Sequence, residues 1–261
     1  MRSTRAGQVT FGLLMAGLGI QGLIIAKFTT AWAPVPPGVP GRAVLVYLIA
    51  IVSLACGLGL LWQPAAARAA RGLLIAFVIW FIVWRVRALF IASLVEGTWS
   101  AGATLVMIAA SWSIYAALAT EADRKMFGFP IGARGTRIAQ ILYGIAMIPF
   151  GYAHFAYLQH TADLVPSWLP WHLGWAYLTG GAFIAAAIGI LFNFQARLAV
   201  TLSAAMMGIF GLFVWVPVVL KPPVSAGDWG EFASTVALTI AGFAVAASPP
   251  ASSVTSPLPH G

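Results

Sequence analysis

Charge is what this chain has least of. Only 8% of its 261 residues are Asp, Glu, Lys or Arg, and six of these are acidic. An ordinary soluble domain carries about 25%. So few charges cannot cover a water-facing surface for a chain of this length, which excludes a conventional soluble fold. Cysteine is nearly absent: Cys56 stands alone, so there is no intrachain disulfide and no Cys-x-x-Cys redox pair. The four histidines show no zinc-ligand spacing, and zinc needs three or four ligands; no metal site is expected. Of the four, only His154 falls within a predicted helix, so the paired axial ligands of a haem bundle are missing. Walker and Ser-His-Asp arrangements are also missing. Gly57-Leu58-Gly59 lacks the strand and third glycine of a dinucleotide loop. No cofactor is implied by any motif.

Apolar residues dominate, at 61%, with 11 tryptophans. Trp favours the membrane–water boundary. The net charge of +8 comes from 14 Lys and Arg that stand singly or in pairs between apolar runs. That placement reads as a topology signal and not as a nucleic-acid surface, so the expected partner is the lipid bilayer. A helix crossing a hydrocarbon core of about 30 Å needs roughly 20 apolar residues. Eight such spans are predicted: Val9–Phe28, Ala43–Trp62, Gly72–Leu94, Ala101–Thr120, Ile138–Leu158, Leu173–Phe192, Ala196–Leu220 and Phe232–Ala247. Residues 63–71 and 96–100 read as connections. Ala31-Trp32-Ala33 resembles a signal-peptide cleavage site, but Pro34 follows it. The first run is therefore expected to stay as a transmembrane helix.

A Pro- and Trp-rich loop leading into a small-residue helix occurs twice, 130 positions apart. Val35, Pro36, Pro40, Tyr47, Leu48, Ala55, Gly59 and Leu61 recur as Val165, Pro166, Pro170, Tyr177, Leu178, Ala185, Gly189 and Leu191. Gly97 and Trp99 recur as Gly227 and Trp229. Internal repeats decide architecture early. The expectation is an all-α membrane protein of two tandem four-helix units, 1–120 and 138–247, joined by a charged linker, 121–137, and ending in a disordered tail, 248–261. Four helices is an even number, so both units should share one orientation, related by an axis along the membrane normal. With the N-terminus inside, nine basic residues (2, 5, 68, 71, 124, 125, 134, 137 and 197) lie on the cytoplasmic side and five (27, 42, 85, 87 and 221) outside. That bias favours cytoplasmic N- and C-termini in an inner, plasma membrane.

Polar groups within the bilayer are the best functional pointers. Lys27 ends the first span, Arg85 lies within the third and His154 late in the fifth. All three fall at one membrane level, and together they form a candidate outer-side polar pocket that could hold an oxyanion or polarise a carbonyl. Two positions along a helix is about 200° of rotation, so Arg87 should face away if Arg85 faces in. Arg85 could instead snorkel to the interface, its charge reaching water while its stem stays apolar.

The second repeat resembles the DoxX-like integral membrane proteins. The residues that carry the likeness are Gly151-Tyr152-Ala153-His154-Phe155, Leu164-Val165-Pro166-Ser167-Trp168-Leu169-Pro170 and Tyr177-Leu178-Thr179-Gly180. They match the family's His-Phe, Val-Pro-x-x-Leu-Pro and Tyr-x-Thr-Gly segments over roughly 40 residues. The first repeat matches at Val35-Pro36 and Tyr47-Leu48. Family members usually carry a glutamate after Tyr-x-Thr-Gly. Here Gly181-Ala182-Phe183 follow, so no role for that acid carries over. The resemblance implies a four-helix membrane unit and an association with quinone-linked sulfur oxidation. The functional expectation is a membrane assembly or accessory module working with another membrane protein. The alternatives are a subunit of a quinone-linked oxidoreductase and a small-solute transporter. A topology reporter inserted near Ser167 is expected to read external, and one fused after His260 cytoplasmic; the opposite pair of signals overturns the assigned orientation.

Overall fold

A computed structural model describes residues 2–248, and every regular element in it is helical. Eight helices are long and apolar enough to cross a membrane: α1 Ser3–Ile25, α2 Arg42–Leu61, α3 Gln63–Ile91, α4 Leu94–Leu118, α5 Gly132–Ala156, α6 His172–Leu191, α7 Ala196–Leu220 and α8 Ala226–Ala246. Two short helices, Glu121–Phe127 and Leu158–Asp163, lie in connections. A single π-helical turn interrupts α3 at Phe81–Arg85 and α7 at Gly211–Trp215.

Several boundaries differ from the sequence reading, each for a local reason. α3 starts at Gln63, not Gly72. Pro64 sits in its first turn, where the missing N–H costs nothing, and the Ala65–Ala70 stretch is built from strong helix formers. α4 starts at Leu94, so residues 96–100 are helical and not a loop: the Ser93 hydroxyl accepts the Glu96 N–H at 3.2 Å and caps the helix. Capping boxes at Thr120/Asp123 and Ser225/Asp228 start the short 121–127 helix and α8. The linker is thus partly helical, and α5 already begins at Gly132. Bonds from Thr120, with Arg71 3.0 Å away, hold the Asp123 carboxyl below the usual carboxylate range. The expected tail lies outside the described residues except for Ser248, which is buried and bonded to Ser113.

Each helix packs on its neighbours in sequence, and α8 returns to lie against α1 and α4. α4 is the central column: 72% of its most apolar stretch is buried, against 22% for α3 and for α7. Its inward positions are small (Ser100, Ala101, Gly102, Thr104, Ala109, Ala110), which lets α3, α5 and α8 approach closely. The outer surface carries the large apolar side chains, with Phe90 83% and Ile24 77% exposed. In a bilayer these faces meet hydrocarbon.

Close approach also locks α1 to α2. A Cβ on Gly57 would stand 2.3 Å from the Ala16 backbone nitrogen and 2.8 Å from the Gly12 carbonyl oxygen. Gly181 on α6 has nothing within 4 Å of that position. Gly57→Ala is therefore expected to lower stability in detergent by about 1–3 kcal/mol through overpacking. Gly181→Ala should leave it unchanged or raise it by about 0.5–1 kcal/mol. Thermal unfolding of the two variants separates these outcomes.

Candidate functional site

The most polar buried constellation forms where the connection between α1 and α2 dips into the bundle. Trp32 is 1% exposed. The chain turns there because the Thr29 carbonyl accepts the N–H groups of both Trp32 and Ala33 at 2.9 Å. The Trp32 ring stacks on Phe77 with centroids 4.2 Å apart, and meets Trp80 edge-on at 5.2 Å. Its indole N–H donates to Ser53 Oγ at 2.9 Å, and Ser53 donates on to the Ile49 carbonyl. Trp80 Nε1 donates to the Trp32 carbonyl at 2.9 Å.

Arg85 closes this arrangement. It stands at the end of the π turn, six residues before α3 ends, and it is 1% exposed. Its Nε donates to Thr104 Oγ1 on α4 at 2.8 Å. Nη1 donates to the Pro34 carbonyl at 2.9 Å, and Nη2 to the Ala33 and Trp32 carbonyls at 2.6 and 3.1 Å. The guanidinium has five N–H donors in a rigid fork, and at least three of them are directed at the protein itself. One side chain thus ties the 32–34 loop to α3 and α4. Beside it, a cavity of about 10 Å³ between the loop, α4 and α8 brings Thr104 and Ser234 together. That is room for a single water at most.

The residues expected to share a pocket behave differently from one another. Arg85 faces inward and Arg87 is exposed, as the helix rotation requires. Lys27 is exposed at the end of α1. His154 lies in the other half of the chain, where its ring meets Phe183 at 5.2 Å and Phe210 at 6.2 Å. Its Nδ1 is 2.7 Å from the Phe150 carbonyl, which can only accept, so Nδ1 carries the proton and Nε2 is left as an acceptor in the neutral ring. No hydrogen bond links any two of Lys27, Arg85 and His154 among the described residues. Trp32, Trp80 and Thr104 were not singled out from sequence as site residues. Nothing about Thr104 marks it, while Trp32 sits in a Pro-rich run that reads as an interfacial loop. Among the described residues no group of three His, Cys, Asp or Glu could hold a metal.

No family model, curated protein or solved structure matches the chain. The geometry therefore carries the functional argument. Removing the Arg85 guanidinium orphans three buried carbonyls, each worth about 1–3 kcal/mol of desolvation when unpaired. Arg85→Leu is expected to lower the unfolding temperature sharply and yield little folded protein, while Arg87→Leu stays within about 0.5 kcal/mol of the parent. Equal small effects from the two changes would remove the clamp role.

Proposed function

We propose that the chain is a DoxX-like bundle of two tandem four-helix units that serves as an assembly module for another membrane protein. Four kinds of observation support the duplication. α2 and α6 have boundaries 130 residues apart at both ends, and so do the two π turns. The first helix of each unit donates to the end of the second: Gln8 to the Leu60 carbonyl, and Arg137 to those of Ile190 and Leu191. α1 packs on α8 as α5 packs on α4, the reciprocal pattern that a two-fold axis along the membrane normal requires. Phe183 and Phe210, which flank His154, occupy the positions 130 residues after Ser53 and Trp80. His154 in one unit and Trp32 in the other then fill the same place between the second and third helices.

In this reading Arg85 is structural, and the outward-facing work falls to the second Pro-Trp loop. The observation that carries it is Trp171. This residue is 85% exposed and holds a left-handed backbone with φ of 60°. Such a conformation costs a bulky residue about 1–3 kcal/mol and clusters at functional positions. Trp168, 67% exposed, leans on Phe213 nearby. The inner-membrane placement, with both termini cytoplasmic and this loop outside, follows the basic-residue bias.

The alternative, a subunit of a quinone-linked oxidoreductase, draws on His154, whose free Nε2 could accept a hydrogen bond from a quinol hydroxyl. A photo-crosslinking residue at Trp171, used in native membranes, tests between them. The assembly reading expects one membrane protein captured at a fixed ratio, lost when Trp168 is changed to Ala. Capture of lipid alone, with quinone retained stoichiometrically by the parent and not by His154→Ala, would replace it with the oxidoreductase reading.

A further inference from the structure

α1 and α8 touch at one end and part at the other. Near the α1 N-terminus a Cβ on Gly7 would lie 3.1 Å from the Ala244 Cα, and Thr4 Oγ1 donates to the Ala247 carbonyl at 3.0 Å. Toward the opposite end the helices splay around a groove of about 460 Å³ that opens sideways to the membrane. The other long seam between the two halves of the chain, α4 against α5, is closed along its length. There a Cβ on Gly102 would meet Pro149 at 3.0 Å, and Trp99 packs on Phe150 with centroids 4.8 Å apart.

The groove walls are apolar, formed by residues such as Leu14 and Gly17 on α1 and Ala233 and Ile240 on α8. Its polar lining residue, Gln21, lies at the open end, where Trp229 also stands. On α1 the lining runs from Leu13 to Gln21, about 12 Å at the helical rise, and on α8 from Trp229 to Ile240, about 16 Å. One leaflet of a bilayer core is about 15 Å deep, half of about 30 Å. The groove thus runs from the depth of the lipid headgroups to the bilayer middle and is stopped there by the Gly7–Ala244 contact. Its volume decides between occupants. A helix about 10 Å across and 15 Å long displaces over about 1,000 Å³, more than twice what the groove offers. A single extended hydrocarbon chain fits.

Gly17 supports the same conclusion independently. A mid-helix glycine costs about 0.5–1 kcal/mol relative to alanine. Gly12 and Gly19 on the same helix are pressed against α2, with Cβ positions 3.0 Å or less from its atoms. Gly17 has nothing within 4 Å of its Cβ position and opens into the groove. No packing contact within the chain requires a glycine there; space for a ligand does.

We infer that the α1–α8 groove is a resident lipid site that takes one acyl chain of a phospholipid, with the headgroup at the Gln21 and Trp229 end. The inference is independent of the assembly reading above. The test is native mass spectrometry of the full chain, delipidated in detergent and titrated with dioleoylphosphatidylglycerol. One lipid per chain should bind and survive activation that strips surface lipid. Gly17→Phe should lower the bound fraction about tenfold, equivalent to about 1.4 kcal/mol. Gly181→Phe, which adds the same ring at another open, exposed glycine, should bind as the parent does. Ala233→Leu fills the groove from the other wall and should act like Gly17→Phe, so the test stands even if one variant folds poorly. Dihexanoylphosphatidylglycerol, with the same headgroup and chains too short for the groove, should bind at least tenfold more weakly. Equal binding of the short-chain lipid, equal binding by both groove variants, no retained lipid in the parent, or a chain dimer that only the groove variants disrupt would each overturn the inference.

Discussion

A donor or acceptor in hydrocarbon has no water to turn to, and the architecture of the first half of this chain follows from that constraint. The dipping 32–34 loop brings three backbone carbonyls into the bundle, and the only mobile donors that reach all three sit on one side chain. Arg85 meets them as a fork, with its third arm on Thr104. The cost of burying the guanidinium and the cost of burying the loop are each prohibitive alone; together they offset one another. Elsewhere the same rule works in smaller doses, through Gln8 on the end of α2, Tyr143 on Ser203, and Arg197 on the last carbonyls of α8.

Much of the fold was legible from composition and period. All eight spans were anticipated, because runs of about 20 apolar residues are a strong signal when every backbone group must be bonded within its own helix. The errors were at starts. Gln63-Pro64 and Glu96-Gly97 look like breaks to a hydropathy reading, yet Pro is at home in a first turn and Ser93 supplies the cap. The Thr120-x-x-Asp123 and Ser225-x-x-Asp228 boxes were visible in the letters and would have placed two helix starts.

The candidate site was half legible. Helical rotation distinguished Arg85 from Arg87, and the structure buries the first and exposes the second. What Arg85 binds could not be read, since its partners are main-chain carbonyls, identical at every residue. Only tertiary placement of the loop selects three of them. The polar pocket imagined around Lys27, Arg85 and His154 assumed that equal depth means adjacency. Depth fixes one coordinate; the azimuth around the bundle fixes the other, and His154 meets aromatic rings of α6 and α7 while Arg85 meets α4 and the first loop.

The clamp also has a direction in time. Trp32 is made first, Arg85 follows 53 residues later, and Thr104 another 19 after that. As the chain emerges from the ribosome, the loop carbonyls have no donor until α3 is in place, and the Arg85 fork has only part of its set until α4 arrives. Early spans of this protein therefore cannot settle one by one. The first four must wait for each other and close together, so the length of nascent chain that has to be sheltered from lipid is set by the distance between a tryptophan and a threonine.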